Sequence, residues 1–493
     1  MAEPSSGWLA RLERAGNRLP HPTLLFVWLC LLMLPLSALL AAVGLTATHP
    51  LEDRAIEVRS LLDGDGLTYL FSEMVTNFTG FAPLGVVLVA MLGLGIAEHS
   101  GLLGASLAAL VRRASHRTLV VTVAFAGVMS SLAFDAGYVV LIPLAGFLFQ
   151  LAGRSPLAGI ATAFAAVSGG YSANLLLGPV DAVLAGLSTE AAAIVEPGRV
   201  VSAAGNYWFI MVSTVLVTAV VSLVTVRITE PRVADRPADN TDQDLAPHMD
   251  RRALGWTLAV LALGVIAVVL LVAPADAPLR GEDGGLLQSP FMSSLVVLIA
   301  LLAGLCGAVY GRVSGRFRSA GGIIEAMETT MSSMSGYLVL MFFAAQFVAW
   351  FSYSQLGLVL AIKGAAWLGG LDLPTVALLL LFVGLVALIN LMIGSASAKW
   401  GILAPVFVPM LMLVGIDPEA TQAAYRVGDS STNIITPLMP YFALVLGFAR
   451  RYRSDTGIGT LIALMLPYSL ALLAGWSVLL GVWIGFGWPL GAG

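Results

Sequence analysis

The sequence predicts an all-α polytopic membrane protein with an inverted-repeat fold of about nine transmembrane helices and two opposed re-entrant hairpins. Of its 493 residues, 58% are hydrophobic and 11% are charged, whereas soluble domains have about 45–50% apolar and about 25% charged residues. The mean hydropathy is +0.91, so a water-soluble globule cannot bury these side chains. The net charge is −4 and the chain has no separate basic patch, which argues against a nucleic-acid-binding protein.

Nine apolar runs are predicted to span the membrane, because each covers the roughly 20 residues that about 30 Å of hydrocarbon require. These runs are residues 22–45, 82–98, 157–188, 205–228, 255–274, 291–314, 331–351, 418–449 and 458–486. The polar segment 1–21 carries arginines and is predicted to lie in the cytoplasm. The tail 487–493 is predicted to lie outside.

Two further apolar runs, the first hairpin segment (118–152) and the second hairpin segment (373–415), are too long for one span and are interrupted by polar residues. Arginines flank the first segment on both sides, which places both its ends in the cytoplasm. The following polar segment, 189–204, contains two glutamates and is predicted to be external. These loop positions are consistent with one another only if 118–152 enters and leaves the membrane on the same side, as a re-entrant hairpin. The same reasoning predicts that 373–415 is an opposed hairpin that enters from outside.

The two halves of the chain match each other in order. A constant offset of 262 residues pairs Tyr138 with Trp400 and Pro143 with Pro405. Because the hairpin segments enter from opposite sides, the matches predict an inverted repeat, which places a transport site near the membrane midplane. The predicted units are a first repeat 22–228 with a broken helix at 157–188, a linker and spacer 229–290, and a second repeat 291–486 with a broken helix at 418–449.

Polar and ionisable side chains at membrane depth are costly and therefore mark candidate functional positions. They gather in the hairpin segments and broken helices, as Asp135, Asp181, Asn390, Lys399, Arg426 and Asp429. Ser395 and Ser397 lie at the tip of the second hairpin segment, where they either bind solute or satisfy the backbone of the turn. The i, i+3 spacing of Arg426 and Asp429 allows an ion pair on one helical face.

Two of these positions suit parts of an aromatic carboxylate. The Arg426 guanidinium matches a carboxylate in a bidentate geometry. Trp400 either stacks on an aromatic ring or packs as an ordinary core side chain.

Coupling to an ion gradient has two candidate forms in this sequence. Glycines and Pro179 interrupt the first broken helix and free backbone carbonyls there. Oxygen ligands of this kind suit Na⁺, and the candidate ligands are Ser131, Ser172, Asn174, Asp429 and Asn433. A lone carboxylate, Asp429 or Asp181, suits a proton instead, and the sequence leaves both ions open. No cofactor is predicted.

Four segments resemble the AbgT family of p-aminobenzoyl-glutamate transporters, and the similarity runs over essentially the whole chain. They are SSLAFDAGYVVLIPL, SGGYSANLLLGPVDA, GSASAKWGILAPVFVPM and YRVGDSSTNIITPLMPY. The resemblance implies a bacterial inner-membrane protein that forms a bowl-shaped homodimer with a solvent-filled basin open toward the cytoplasm. It places the family's functional positions on Asp181, Asn390, Trp400, Pro418, Arg426 and Asp429.

We therefore expect a secondary active transporter rather than an enzyme. The resemblance implies uptake of p-aminobenzoyl-glutamate, export of sulfonamide antimetabolites, or both, driven by an H⁺ or Na⁺ gradient. The alternative is an ion or solute channel with a hairpin-lined pore, which would need no coupling ion. An intramembrane hydrolase is disfavoured, because the sequence has no HExxH motif and no Ser–His pair at membrane depth.

Overall fold

The chain is mostly helical in a computed structural model, as the apolar runs predict. The structure describes residues 22–48, 55–112, 115, 118–133, 137–233, 250–274, 276–281, 289–436, 439 and 441–492. The predicted cytoplasmic segment 1–21 and the candidate Asp135 lie outside these ranges.

The helices of the first half are mostly short, and several are separated by only a few residues. Their bounds are α1 (Pro22–Ala42), α2 (Gly64–Ser72), α3 (Met74–Thr79), α4 (Ala82–His99), α5 (Leu102–Arg112), α6 (Leu119–Met129), α7 (Ile142–Leu151), α8 (Pro156–Gly169), α9 (Pro179–Ala192), α10 (Tyr207–Val224) and α11 (Glu230–Val233). A 3-10 helix, Ser130–Ala133, extends α6, and π-helical turns at Gly137–Leu141 and Thr225–Thr229 adjoin α7 and α10.

Ten further helices are described in the second half of the chain. They are α12 (Arg251–Val272), α13 (Pro290–Val313), α14 (Ala320–Ser333), α15 (Ser335–Tyr353), α16 (Leu356–Gly369), α17 (Thr375–Asn390), α18 (Ala396–Met412), α19 (Pro418–Asn433), α20 (Phe442–Tyr452) and α21 (Ile458–Gly485).

Two short antiparallel strands, β1 (Thr46–Thr48) and β2 (Ala55–Glu57), depart from the predicted all-α class. Thr46 pairs with Glu57, and Ala47 pairs with Ile56. The central residue of each strand is buried and its neighbours are exposed, which is the alternation of a half-buried strand. Three residues are too few for this period to be recognised in the sequence.

Among the described residues, six helices are long and apolar enough to cross a membrane. A seventh candidate is the pair formed by α4 and α5, which is bent by 64°. The predicted spans 157–188 and 418–449 are each divided into two shorter helices. The count of nine spans therefore stays a prediction.

In each half of the chain, the first helix of the broken span packs against the two helices of the preceding hairpin segment. In the first half, α8 packs against both α6 and α7. In the second half, α19 packs in the same way against both α17 and α18. The break in the first broken span covers residues 170–178, and in the second broken span α19 ends at Asn433 and α20 begins at Phe442. Contacts of α9 with α18 and α19 bring the two broken spans together, and one apolar core runs through both halves.

Candidate functional site

A buried ion pair joins the two halves at their broken helices. Arg426 Nη2 of α19 lies 2.7 Å from Asp181 Oδ1 of α9, and 1% and 7% of the two side chains are exposed. Removing two such charges from water is costly, and their mutual attraction offsets part of that cost. Two of the predicted site residues, from opposite halves of the sequence, thus meet in one place.

The beginning of α9 prepares Asp181 for this role. Asp181 is the third residue of the helix, and its Oδ2 accepts a hydrogen bond from the Gly178 N–H at 2.7 Å. The positive end of the helix dipole favours a carboxylate at this position. Pro179 occupies the first helical turn, where its missing N–H costs no hydrogen bond. One oxygen of the Asp181 carboxylate therefore accepts a hydrogen bond at the N-terminus of α9, and the other pairs with Arg426.

A second buried ion pair corrects the expected pairing of Arg426 with Asp429. Asp429 Oδ1 lies 2.5 Å from Lys399 Nζ, and 1% and 0% of the two side chains are exposed. Arg426 and Asp429 thus share α19 but face partners on different elements. The helical spacing allowed a local pair, but the folded chain brings a cation from α18 closer to Asp429.

Asn390, the last residue of α17, connects these elements. Its Nδ2 donates to Asp429 O at 2.6 Å, to Thr432 Oγ1 at 2.8 Å and to Asn433 Oδ1 at 2.9 Å. Its Oδ1 accepts from Lys399 Nζ. Three hydrogen-bond acceptors surround Nδ2, and these contacts determine which end of the Asn390 amide is the nitrogen and which is the oxygen. Asn390 is fully buried, and its hydrogen bonds join the second hairpin segment to α19, which makes it a positioning residue.

Trp400 is fully buried in this conformation. Its Nε1 donates to Leu184 O at 3.2 Å and to Ser188 Oγ at 3.1 Å, both on α9. Its ring lies 4.4 Å from the Tyr425 ring, at an interplanar angle of 32°. Contact with a substrate ring therefore requires Trp400 or Tyr425 to move.

A chain of buried hydrogen bonds leads away from Trp400. Ser188 Oγ donates to Gln422 Oε1 at 2.7 Å. Gln422 Nε2 donates to Asn206 Oδ1 at 3.0 Å, and Asn206 Nδ2 donates to Glu419 O at 2.8 Å. These bonds tie α9, α18 and α19 together, so they hold Trp400 against both broken helices.

The remaining predicted site residues lie at helix starts. Pro418 is buried at the first position of α19. Ser395 caps α18, and its side chain accepts a hydrogen bond from Ala398 N at 3.4 Å. Ser397 is half-buried in the first turn of the same helix. The capping bond favours the structural interpretation of Ser395, whereas the partial burial of Ser397 favours neither interpretation.

The contacts divide the five candidate Na⁺ ligands into two groups. Ser131, Ser172 and Asn174 line a cavity of about 10 Å³ that also reaches Asp181, and Asn174 Nδ2 donates to Ser131 Oγ at 2.6 Å. Asp429 and Asn433 instead accept hydrogen bonds from the Asn390 side chain. Among the described residues, no cluster of three or more His, Cys, Asp or Glu side chains is placed to hold a metal ion.

Sequence reasoning missed several residues of this site. It noted Lys399 as an ionisable side chain but gave it no role, and it did not single out Tyr425, Ser188 or Gln422. The charge of Lys399 in an apolar segment marked it as a candidate, but that signal does not reveal its partners. Tyr425, Ser188 and Gln422 carry no such signal, because each acts through contacts with elements distant in the sequence.

A separate cavity of about 430 Å³ lies beyond α9, on the side predicted to be external. Arg59, Tyr69, Glu190 and Tyr353 are among its lining residues. Glu190 Oε1 accepts a hydrogen bond from Ala82 N at 3.0 Å. Burial raises the pKa of Glu190, and this hydrogen bond opposes the rise. Glu190 thus connects the end of α9 to the start of α4.

Helices interrupted beside buried charges, in a chain with several helices long enough to span a membrane, are typical of a membrane transporter. Comparisons with known proteins agree. The profile of the AbgT transporter family matches residues 7–493. The p-aminobenzoyl-glutamate transport protein of Escherichia coli strain K12 is 36% identical over 493 residues, covering 99% of this chain and 96% of that protein.

Two solved structures are similar over nearly their full lengths. The Alcanivorax borkumensis YdaH transporter, whose topology is described as unusual, is 72% identical, with a TM-score of 0.94 over 96% of this chain and 100% of that one. Neisseria gonorrhoeae MtrF, described within a class of antimetabolite efflux pumps, is 43% identical, with a TM-score of 0.90 over 97% of each chain. The chain belongs to the AbgT family, and it is a multi-pass transporter of the bacterial inner membrane.

Proposed function

We propose that this protein is a secondary active transporter of p-aminobenzoyl-glutamate-like folate fragments, of sulfonamide antimetabolites, or of both. The observation that carries the proposal is the buried pair of Arg426 with Asp181 between the two broken helices. Arg426 Nε is buried without a hydrogen-bond partner among the described residues. A donor in that position suits a substrate carboxylate.

The aromatic part of the substrate would meet Trp400. A sulfonamide shares the aniline ring of p-aminobenzoyl-glutamate but lacks its glutamate carboxylates. Contact with Trp400 would therefore serve both substrates, whereas contact with Arg426 would favour the folate fragment. Asn390, Pro418, Ser395 and Ser397 would shape the site at the second hairpin segment and the start of α19.

Coupling to H⁺ or Na⁺ would act through Asp181 or Asp429. A substrate carboxylate on Arg426 would displace Asp181, and an uncompensated carboxylate at this depth is unfavourable. A proton or a Na⁺ ion would then neutralise it. The cavity beside Asp181 is about 10 Å³, close to the least volume that a water molecule occupies. A cavity of this size does not admit the substrate in this conformation, so substrate entry would require a conformational change.

The transport movement would involve the two inverted repeats, 22–228 and 291–486. One unit would contain the opposed re-entrant hairpins (118–152 and 373–415) and the broken helices. It would move by an elevator-like or rocking motion against a scaffold of the remaining spans. The proposal includes nine spans in total and a homodimer formed through the scaffold.

The test is flux of radiolabelled p-aminobenzoyl-glutamate in proteoliposomes, with H⁺ and Na⁺ gradients imposed separately and in both directions. We expect saturable flux driven by one gradient, and its loss in Arg426→Ala and Asp429→Ala. Arg453→Ala is the control, because Arg453 pairs with the exposed Asp455 away from the site. Full transport by both site variants would contradict the assignment, and gradient-independent, non-saturating flux would favour a channel.

A further inference from the structure

The ammonium group of Lys399 is surrounded by oxygen atoms, which we call the Lys399 cage. The cage consists of Asp429 Oδ1 at 2.5 Å, the Ile393 carbonyl at 3.3 Å and Asn390 Oδ1. Lys399 is fully buried. An ammonium has three donors, and the three cage oxygens match that number. A carboxylate, an amide carbonyl and a backbone carbonyl are also the oxygen types that bind hard metal cations.

The cage is assembled from three elements around the break of the second hairpin segment. Asn390 ends α17, Ile393 lies in the break, and Asp429 lies on α19. Lys399 reaches back from the first turns of α18. A free cation at this position would hold α17 and α19 together, and the tethered ammonium does the same.

The residue type at position 399 fits this role. The chain has 25 basic residues, and just two of them, Lys363 and Lys399, are lysines. Lys363 is exposed on α16. An ammonium is a compact point charge, whereas a planar guanidinium fans out its five donors. A compact cation is what a small set of converging oxygens accepts.

The first half has no counterpart of this side chain. The offset that pairs Tyr138 with Trp400 pairs Gly137 with Lys399. A Cβ atom at Gly137 would collide with Ser130 Oγ, so the site admits no longer side chain there. The cavity lined by Ser131, Ser172 and Asn174 is nearby in the first half.

We propose that Lys399 is a tethered cation that fills the ion position of the second repeat, so that no free Na⁺ binds between Asn390 and Asp429. The inference rests on the proposed transport function and narrows its coupling. Of the five candidate Na⁺ ligands, Asp429 and Asn433 serve the lysine network. Ser131, Ser172 and Asn174 remain as ligands for a free ion.

The test is the number of ²²Na⁺ ions bound per chain by the purified full-length protein. Lys399→Met removes the ammonium and leaves the cage oxygens, so this variant should bind one more Na⁺ than the wild type. Lys399→Met combined with Asp429→Asn should lose that extra ion. Lys363→Met is the matched control and should bind as many ions as the wild type.

Thermal stability gives a second readout. Na⁺ that binds the folded state raises its melting temperature with concentration. The Lys399→Met variant should show a larger Na⁺-dependent rise in melting temperature than the wild type. Lys399→Gln should behave similarly, and it replaces Lys399→Met if that variant does not fold.

Two results would overturn the inference. One is a folded Lys399 variant that binds no additional Na⁺. The other is a wild-type protein that loses one bound Na⁺ on Asp429→Asn, because the cage would then hold a free ion beside the lysine. Wild-type flux is measured in parallel. Absence of wild-type flux would contradict the proposed transport function. The number of Na⁺ ions bound by the Lys399 variant would still test the role of Lys399.

Discussion

Arg426 and Asp181 form the contact on which the two halves of the site depend. Each is almost fully buried, and each is paired with a residue from the other half of the chain. Loss of one partner leaves the other charge almost fully buried and unpaired. Loss of both removes the problem, because no charge remains to be compensated.

The first prediction concerns this pair. Asp181→Asn and Arg426→Gln should each lower the free energy of unfolding by about 3–5 kcal/mol, the usual cost of breaking a buried ion pair. The double variant should lose clearly less than the sum of the two. Melting temperatures in detergent, measured for both single variants and the double variant, check this.

The matched control is the ion pair of Arg453 with Asp455, in which the aspartate side chain is 67% exposed. Its single variants should change stability by about 0–1 kcal/mol. Strict additivity of the Asp181 and Arg426 variants would contradict the direct pairing that we describe.

Single residues also separate what the sequence can predict from what it cannot. Asp181, Asn390, Arg426 and Asp429 were found because a polar side chain in an apolar run is an outlier. Their partners were not found, since the choice between Asp181 and Asp429 for Arg426 depends on how α9 and α18 pack. Trp400 was also singled out, but its hydrogen bonds to α9 were not foreseen.

At the scale of helices, α19 combines a polar sequence with close packing. It carries Arg426, Asp429 and several hydroxyl side chains, yet most of its residues are buried. Gly428 lies where α19 meets α17, and a Cβ atom there would be 2.6 Å from the Val383 carbonyl oxygen. Small residues at helix contacts allow such approach in membrane proteins.

The second prediction follows from that contact. Gly428→Ala should push α19 away from α17 and destabilise the fold by about 1–3 kcal/mol, the usual cost of overpacking. It should also reduce transport, because Asp429 is the next residue. Gly447→Ala on α20 is the control, since no atom lies within 4 Å of its added Cβ.

Melting temperature and flux should both distinguish these two variants. Equal stability of Gly428→Ala and Gly447→Ala would show that α17 and α19 are not in close contact.

Helix ends were predicted less well than helix positions. Both hairpin segments and both broken spans were expected to contain interruptions, because glycines and polar residues fall near their middles. The short strands β1 and β2 were not expected. The 3-10 and π-helical turns around the first hairpin segment also escaped prediction, since they depend on how the backbone relaxes against α8 rather than on a periodic pattern.

For the whole molecule, the entry side of the two hairpin segments is the decisive feature. The third prediction uses cysteines at the ends of each segment, in a background with Cys30 and Cys306 replaced by alanine. Both native cysteines are buried, so their thiols are shielded from the reagent, and their replacement removes any remaining background labelling. Thr118, Leu151, Leu373 and Asp417 are exposed and suit labelling.

Thr118→Cys and Leu151→Cys should react with a membrane-impermeant thiol reagent in inside-out vesicles and not in intact cells. Leu373→Cys and Asp417→Cys should show the reverse. If the two ends of one segment react from opposite sides, that segment passes straight through the membrane. The proposed hairpins would then be wrong.

The pairing of charges across the chain also bears on how the protein is made. An Arg or an Asp side chain near the centre of a helix raises the free energy of inserting that helix into the bilayer by about 2.5–3.5 kcal/mol. Helix α19 contains one Arg and one Asp. During translation, Asp181 leaves the ribosome long before Arg426 does, and Lys399 precedes Asp429. Stable insertion of α19 into the membrane therefore requires that the earlier segments, which contain its counter-charges, are already in place. Insertion of this helix is thus a late step of biogenesis.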